Sequence, residues 1–288
     1  MSRCRPGRLC LWVIVLAVAA NVTAVSADTT LERIRARHAI VFAYRDGAAP
    51  FSFKDRDGRV RGYSVELCAR IAEAIRRELK LVELKVDWIP VTADTRLQSV
   101  AGGRADAECG TTTITLSRME SVDFSLPIFV DGGTLLVRAK SPVQRVADLA
   151  SKRVAVIRNT TTERALLSAL DVADVSPRIV PVGTMEEGAA AVREGRADAY
   201  AGDRLVLRQL VMREGNDAFA LVADDFSYEP YGIVVPRNDA DFRLAVNRGL
   251  VAAYKRGDID PIFQRWLAPL GTPGPLLNAM FYLNALPD

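Results

Sequence analysis

A short segment near the middle of the chain carries the residue types best suited to hold a small anion. An apolar, strand-like stretch over Ala105–Cys109 opens at Gly110 into hydroxyl side chains, among them Thr111 and Thr113, and Arg118 follows. Such a strand end offers backbone N–H groups, hydroxyls and one guanidinium, whose planar fork binds a carboxylate with two hydrogen bonds. The segment is therefore a candidate carboxylate site, although by itself it also fits a Thr-rich turn before a surface arginine.

Residues 1–27 have the three-part layout of a secretory signal peptide. Three arginines precede an apolar run from Leu9 to Ala20, and Val25–Ala27 is a small-residue cleavage site. The apolar run is short for a membrane span, which needs about 20 residues. Without the three arginines the net charge falls from +3 to zero. We therefore expect an exported, periplasmic protein, with neither nucleic acid nor an anionic membrane surface as a partner.

Cysteine and histidine usage limits the chemistry further. Cys4 and Cys10 belong to the leader, so only Cys68 and Cys109 remain. An even pair in an exported protein is a candidate disulfide, and two buried free thiols are the alternative. With His38 as the single histidine, a zinc or iron site is not expected, and we expect no cofactor.

The first part of the chain alternates strands with helices. Ala39–Tyr44 is a continuous apolar run that ends at Arg45, which is typical of a strand buried on both faces. Ser64 is predicted to cap a helix with apolar residues at helical spacing. A strand over Leu84–Ile89 then leads to a helix around Thr95–Ala101. This order predicts an α/β fold with a mainly parallel sheet flanked by helices.

The same pattern restarts after residue 140. Arg153–Ile157 and Arg178–Val182 read as strands. Thr160–Glu163 and Thr184–Glu187 have the spacing of capping boxes, which predicts that helices begin there. A second α/β unit is therefore expected.

An internal repeat relates the two units. Gly-Arg-Ala-Asp-Ala occurs at 103–107 and again at 195–199, each time where a helix ends and a strand begins. We infer two lobes of related design whose strand carboxyl ends face a common space, where open α/β sheets bind ligands. A further strand over Tyr231–Val235 predicts that the chain returns to the first lobe, so that two crossings form a hinge. The predicted bounds are 28–133 with 232–288 for lobe 1, and 134–231 for lobe 2.

These residues resemble the extracytoplasmic solute-binding proteins of ABC amino-acid importers, particularly the glutamate/aspartate-binding branch. The most specific likeness is the segment from Glu108 to Arg118, and further motifs match over nearly the whole chain after the leader: Tyr44–Asp46, Pro50–Phe53, Gly62–Ser64, Pro90–Thr92 and Val122–Ser125. The resemblance implies the two-lobed, type II periplasmic-binding-protein fold. It also implies a monomeric, non-catalytic protein that closes over glutamate or aspartate and delivers it to a membrane permease.

The resemblance implies a role for each candidate residue in the part of the ligand shared by all amino acids. Arg118 and four threonines would take the α-carboxylate: Thr111, Thr113, Thr160 and Thr161. The last two lie at a predicted helix start, where N–H groups and the helix dipole favour an anion. Asp203, at the end of the repeated strand, would pair with the α-ammonium.

Arg45 and Arg96 would meet the side-chain carboxylate of the ligand, as their positions in the branch imply. The alternative is that both are solvated surface arginines. A neutral ligand would leave buried charge unpaired, which costs several kcal/mol as an order of magnitude. Three positions depart from the branch: Ala93 replaces a serine, Met185 a histidine and Asn159 a glycine. An amide or a larger acidic ligand therefore stays open.

The family likeness also bears on the cysteines and on two aromatic residues. Relatives with cysteine at both positions imply a disulfide between Cys68 and Cys109, which would hold a helix beside the binding loop. Phe51 and Phe53 would either cover the methylene groups of the ligand or pack in the core.

Two other functions fit the same fold. A sensory protein would present its ligand to a membrane receptor, and a cyclohexadienyl-dehydratase-like enzyme would need an acid or base in the cleft. Glu108 and Asp203 are the candidates for that acid or base, but both have structural or ligand-pairing roles. His38 lies outside the motifs, so no nucleophile–base pair is visible. A binding protein is therefore the preferred interpretation.

Overall fold

The computed structural model of the protein describes residues 29–215 and 217–287, and the predicted leader lies outside them. The described strands form two five-stranded sheets and a small hairpin. In chain order they are β1 (Ala39–Arg45), β2 (Phe53–Lys54), β3 (Val60–Arg61), β4 (Lys85–Val91), β5 (Ala107–Glu108), β6 (Val122–Asp131), β7 (Gly133–Arg138), β8 (Arg153–Ile157), β9 (Arg178–Val182), β10 (Ala199–Asp203), β11 (Phe219–Leu221) and β12 (Glu229–Pro236).

Helices pack on the two larger sheets. In the described ranges they are α1 (Thr30–Arg37), α2 (Tyr63–Glu78), α3 (Arg96–Ala101), α4 (Thr161–Val172), α5 (Met185–Arg193), α6 (Arg204–Glu214), α7 (Ala240–Lys255), α8 (Ile259–Trp266) and α9 (Pro275–Asn284). Within 29–215 and 217–287, none of them has the length and apolar character that a membrane crossing requires.

Each large sheet combines parallel and antiparallel pairs. The first has the order β4-β1-β5-β12-β6 and the second β11-β7-β10-β8-β9. In the first, β4, β1 and β5 are parallel, whereas β12 runs antiparallel to both of its neighbours. In the second, β9, β8 and β10 are parallel, whereas β7 is antiparallel to β10 and β11. The parallel part of each sheet is the part that the alternating pattern predicts, and the strands next to the crossings reverse direction.

Within residues 29–215 and 217–287, the chain crosses between the sheets twice. It leaves the first sheet after Asp131 and enters the second at Gly133. It returns between Leu221 and Glu229. Gly133 thus pairs in the second sheet and residues 229–231 pair in the first.

The helix α2 shows how sequence periodicity becomes packing. Its apolar residues Leu67 and Ile71 are completely buried, and each contributes about 1.5–3 kcal/mol of hydrophobic stabilisation. On the facing α7, a Cβ at Gly249 would lie 2.9 Å from Ile71 Cα, so glycine lets the two helices approach closely. Ser64 lies inside α2, because Gly62 occupies the N-cap position. The predicted cap is therefore wrong, and Ser64 Oγ instead donates to the carbonyl of Gly110 at 2.8 Å.

The repeated pentapeptide performs the same structural task in both lobes. Gly103 and Gly195 end their helices with φ of +72° and +71°, a left-handed conformation that glycine adopts without steric cost. Three residues later, Asp106 Oδ2 accepts from the N–H of Val41 at 2.7 Å. The equivalent Asp198 Oδ2 accepts from the N–H of Arg153 at 2.8 Å. Each aspartate thereby ties its strand to the parallel neighbour, which supports the two-lobe interpretation.

The predicted helix starts at Thr160 and Thr184 are confirmed, with one difference in their hydrogen bonds. Each threonine accepts a bond from the N–H three residues later, at 3.1 Å in both cases. In neither motif, however, does the glutamate side chain accept a hydrogen bond from the backbone N–H of the capping threonine. Glu163 accepts from the N–H of Asn159, and Glu187 accepts from the N–H of Gly183, in each case one residue before the cap.

Candidate functional site

A cavity lies between the two sheets and brings together seven of the eight predicted ligand-binding residues. They are Arg45, Arg96, Thr111 and Thr113 from the first lobe, and Thr160, Thr161 and Asp203 from the second. Arg118 does not line the cavity, but its guanidinium donates to the carbonyl of Thr113, which does. The remaining wall comes mostly from the second lobe and is partly apolar, with Ile157, Met185 and Leu207 among its residues.

Strand ends explain why these residues meet. Arg45 is the last residue of β1, and Asp203 is the last residue of β10. Thr111 and Thr113 follow β5, while Arg96 opens α3 just after β4. Because β1, β4 and β5 are parallel, their carboxyl ends share one edge of the sheet, which is where α/β proteins bind ligands.

Among the residues that the structure describes, no carboxylate is hydrogen-bonded to the guanidiniums of Arg45 and Arg96 in the first lobe. Arg96 is 2% exposed, and among the described residues its Nε has no hydrogen-bond partner. Its Nη1 donates to the carbonyl of Ala93 at 2.5 Å. Arg45 Nη1 donates to Thr111 Oγ1 at 3.2 Å. Burial, with Arg45 and Arg118 nearby, lowers the pKa of Arg96 to about 9. An anion in the cavity would relieve this repulsion.

Arg118 supports the loop after β5 from behind. Its Nη1 donates to the carbonyl of Thr113 at 2.6 Å, and the side chain is buried. Burial, followed by the charge of Arg164, lowers the pKa of Arg118, whereas Glu229, Glu108 and Asp203 raise it. The guanidinium is therefore near the acidic groups of the site as well as behind Thr113.

The second lobe contributes a helix N-terminus and an acid. Thr160 caps α4, and Thr161 is the first residue of that helix. Thr162, which the sequence analysis did not single out, donates from Oγ1 to Asp203 Oδ1 at 3.0 Å. Asp203 therefore stands beside the α4 N-terminus, so the second lobe places a negative group and exposed N–H groups side by side.

Glu229 is a site residue that the sequence analysis missed. Its Oε2 accepts from Thr113 Oγ1 at 2.5 Å and from Thr161 Oγ1 at 2.8 Å, one threonine from each lobe. Its Oε1 accepts from Ser227 Oγ at 2.9 Å. Both threonine hydroxyls thus donate their proton to Glu229. Toward the cavity they can therefore only accept hydrogen bonds. The sequence feature that could have identified Glu229 is a charged residue at the start of an apolar strand.

Three carboxylates meet where the chain crosses between the lobes. Asp131 and Glu229 are paired residues of β6 and β12. Asp131 Oδ2 accepts from Tyr231 Oη and from the N–H of Leu205, both at 3.2 Å. Burial and the charge of Asp203 raise the pKa of Asp131 to about 7. The same two causes raise the pKa of Glu229. A cation placed at Asp203 would stabilise this acidic group.

The lobes touch across the mouth of the cavity. Asn159 Nδ2 donates to Asp94 Oδ1 at 3.0 Å. Asn159 has φ +59°, a conformation that asparagine tolerates better than most residues and that explains why it can replace glycine here. The carboxylate of Glu186 lies against Gly47 on the opposite lobe, 3.2 Å from where a Cβ would stand. These contacts describe a closed cleft.

The other residues named in the sequence analysis lie in different parts of the structure. Met185 lines the cavity. Phe51 is completely buried and packs edge-on against Tyr63, Phe129 and Tyr231. Phe53 packs against Trp266, with ring centroids 5.9 Å apart. Phe51 therefore has a core role, Phe53 is half-buried, and neither lines the cavity. His38 is exposed at the end of α1.

A disulfide joins Cys68 in α2 to Cys109 at the end of β5, with Cα atoms 6.3 Å apart. Gly110 follows directly, and its carbonyl accepts from Ser64 of the same helix. The helix is therefore attached to the loop of Thr111 and Thr113 by one covalent bond and one hydrogen bond, which confirms the predicted pairing and explains its place beside the cavity.

Two acidic-amino-acid-binding proteins are similar to this chain over most of its length. An L-glutamate/L-aspartate-binding protein of Pseudomonas aeruginosa is 31% identical over 96% of this chain and 92% of the relative. A glutamate/aspartate import solute-binding protein of Salmonella typhimurium is 30% identical over 90% of this chain and 86% of the relative. A glutamine-binding protein of Bacillus subtilis is 28% identical over 84% and 86%.

Solved structures share the architecture. An ancestral arginine-binding protein bound to arginine has a TM-score of 0.72 and 27% identity, covering 80% of this chain and 99% of its own. An ancestral amino-acid-binding protein described as a precursor of cyclohexadienyl dehydratase has a TM-score of 0.72 and 28% identity, covering 83% and 99%. The predicted two-lobed α/β fold is confirmed.

Two lobes, a hinge of two crossings and a charged cavity between strand ends define a bilobal solute-binding protein. Residues 40–269 match the family model of the bacterial extracellular solute-binding proteins, family 3, and the chain belongs to that family. It is thus an amino-acid-type solute-binding protein of the ABC transporter class.

Proposed function

We propose that the protein is the periplasmic binding component of an ABC importer for an acidic amino acid, glutamate or aspartate. It closes two lobes over the ligand and delivers it, as a monomer, to the membrane permease. The observation that carries the proposal is the presence of two guanidiniums, those of Arg45 and Arg96, in one wall of the cavity without a carboxylate hydrogen-bonded to either in the described residues.

The part of the ligand common to all amino acids would be divided between the lobes. Asp203 receives the α-ammonium, whose positive charge favours the ionised forms of the neighbouring Asp131 and Glu229. We assign the α-carboxylate to the backbone N–H groups around Thr111 and Thr113, to the N-terminus of α4 at Thr160 and Thr161, and to the charge of Arg118, which is not part of the cavity wall. Because Arg118 lies behind the loop, its contribution includes holding the carbonyl of Thr113 in place.

The side-chain carboxylate of the ligand would lie between Arg45 and Arg96. An acidic side chain neutralises buried positive charge there, whereas a neutral one leaves it unpaired. Met185 and Ile157 on the opposite wall suit the methylene groups of the ligand. The two relatives named for glutamate and aspartate support this assignment.

Calorimetric titration of the leader-free protein with each of the twenty amino acids tests the proposal. We expect tight binding of L-glutamate or L-aspartate and much weaker binding of glutamine and asparagine. Tight binding of neutral or basic amino acids alone would refute the side-chain assignment. Turnover of a prephenate-like acid would instead favour the enzyme class suggested by the dehydratase precursor among the similar structures.

A further inference from the structure

A buried carboxylate lies below the two arginines of the cavity wall. Glu108, the last residue of β5, is completely buried. Within the described residues, neither of its carboxylate oxygens has a hydrogen-bond partner. A buried carboxylate that makes no hydrogen bond is costly in free energy and therefore calls for a physical explanation.

The surroundings of Glu108 provide one. A Cβ at Gly110 would overlap Glu108 Oε1 and would lie 3.4 Å from Arg45 Cβ, so the missing side chain of Gly110 makes room for the carboxylate beside the base of Arg45. The groups facing Glu108 are Arg96 from α3, Arg45 from β1, Arg118 and the Thr112 hydroxyl. Burial raises the pKa of Glu108, and these four groups lower it.

Glu108 is separated from the cavity by the residues it faces. It is not part of the cavity wall, whereas Arg45 and Arg96 are. Arg96 also carries an unpaired Nε, and Glu108 raises the pKa of Arg96. The two buried groups are thus charge neighbours that act on each other without a direct hydrogen bond in the described chain.

We propose that Glu108 is a specificity-determining counter-charge, which lowers the net charge of the Arg45–Arg96 pair from two positive charges to one. This inference rests on the proposed function, because it assumes that the pair receives an acidic side chain. One ligand carboxylate then leaves the subsite electrically neutral, which is the arrangement that a low-dielectric site favours.

The same counter-charge limits how strongly the site prefers an acidic ligand. Removing it would increase the attraction for an anionic side chain but leave a neutral one nearly unaffected. The ratio of the dissociation constants for L-glutamine and L-glutamate isolates this effect. Both ligands need the same closed lobes, so changes in folding, hinge motion or ammonium binding cancel in the ratio.

The experiment compares this ratio in four variants with the wild type by calorimetry, using competition for the weaker ligand. Glu108→Gln and Glu108→Met remove the charge with different packing, so one of them serves if the other does not fold. Both are expected to raise the ratio about tenfold, a change of 1.4 kcal/mol. Glu108→Asp, which keeps the charge, and Glu83→Gln on the surface should leave it unchanged.

A pH series separates electrostatic tuning from structural support. Burial raises the pKa of Glu108, so lowering the pH adds a proton to it and the wild-type ratio should rise, whereas the ratio of Glu108→Gln should stay flat. An unchanged ratio in both charge-removing variants would overturn the counter-charge while the proposed function stands. A wild-type protein that binds no acidic amino acid would overturn both.

Discussion

The hydroxyl oxygens of Thr113 and Thr161 lie 3.0 Å apart, one on each lobe. Glu229 accepts a hydrogen bond from both of them through the same carboxylate oxygen. Glu229 belongs to a strand of the first sheet, so its bond to Thr161 joins the two lobes in the closed arrangement of this structure. The pair therefore marks the closed form of the protein.

Replacing Glu229 with glutamine should weaken closure. The amide keeps one acceptor oxygen but loses the charge, and hydrogen bonds to charged groups contribute about 1.5–3 kcal/mol. We expect roughly tenfold weaker binding, seen mainly as faster ligand dissociation in stopped-flow measurements. Glu120→Gln, on the surface of the first lobe, is the matched control. A dissociation rate equal to that of the wild type would contradict a role in closure.

The three arginines should separate into two classes. Arg118→Ala removes the guanidinium and its support of Thr113, so binding of every amino acid should weaken by a factor of 100 or more, which corresponds to roughly 3 kcal/mol. Arg96→Ala and Arg45→Ala should instead weaken glutamate selectively and bring its affinity close to that of glutamine.

Calorimetry with both ligands gives the necessary comparison for each arginine variant. An Arg96→Ala protein that keeps the full preference for glutamate over glutamine would show that this guanidinium does not meet the ligand side chain.

Asp131 predicts a defined pH dependence of stability. Its pKa in the native protein is raised to about 7, above the ordinary aspartate value of roughly 4. The native state therefore holds a proton that the unfolded chain releases, and stability falls as pH rises from about 4 to 7. Asp131→Asn cannot ionise. It should be about 1–3 kcal/mol more stable than the wild type at pH 8, with little gain at pH 4.

Urea denaturation of the ligand-free protein at both pH values measures this difference. Asp57→Asn, an exposed aspartate in the turn before β3, serves as the control and should show no pH-dependent gain. If Asp131→Asn lost stability equally at pH 4 and pH 8, hydrogen bonding rather than ionisation would dominate at this position.

The disulfide should contribute strongly to folding stability. Cys68 and Cys109 are 41 residues apart in sequence and both are completely buried. A closed loop of this size stabilises a protein by about 3–4 kcal/mol through loss of entropy in the unfolded chain. The double variant Cys68→Ser/Cys109→Ser should lose that amount in denaturation experiments, and the reduced wild type should behave similarly. A loss below about 1 kcal/mol would disagree with this account.

Much of the fold could be predicted because its signals are local. The strands at Arg153–Ile157 and Arg178–Val182 and the helix start at Thr160 agree with the structure, since apolar runs and capping residues act over a few neighbouring positions. Ser64 was misplaced because Gly62, two residues earlier, takes the cap position. The helix Pro275–Asn284 was missed because its contacts with β6, such as Asn284 Nδ2 to Pro127 at 2.6 Å, come from distant sequence.

The sequence by itself determined the alternation of strands and helices, the candidate charged residues at strand ends and the cysteine pair, because each depends on residue type and short-range spacing. Only the tertiary structure decided which carboxylates lie next to those residues. Glu229 meets Thr113 across 116 positions of sequence, and Asp131 and Glu108 owe their raised pKa values to burial. The two crossings between the lobes bring residues that are far apart in sequence into contact. Burial depends on how the whole chain packs, so it cannot be read from a short segment.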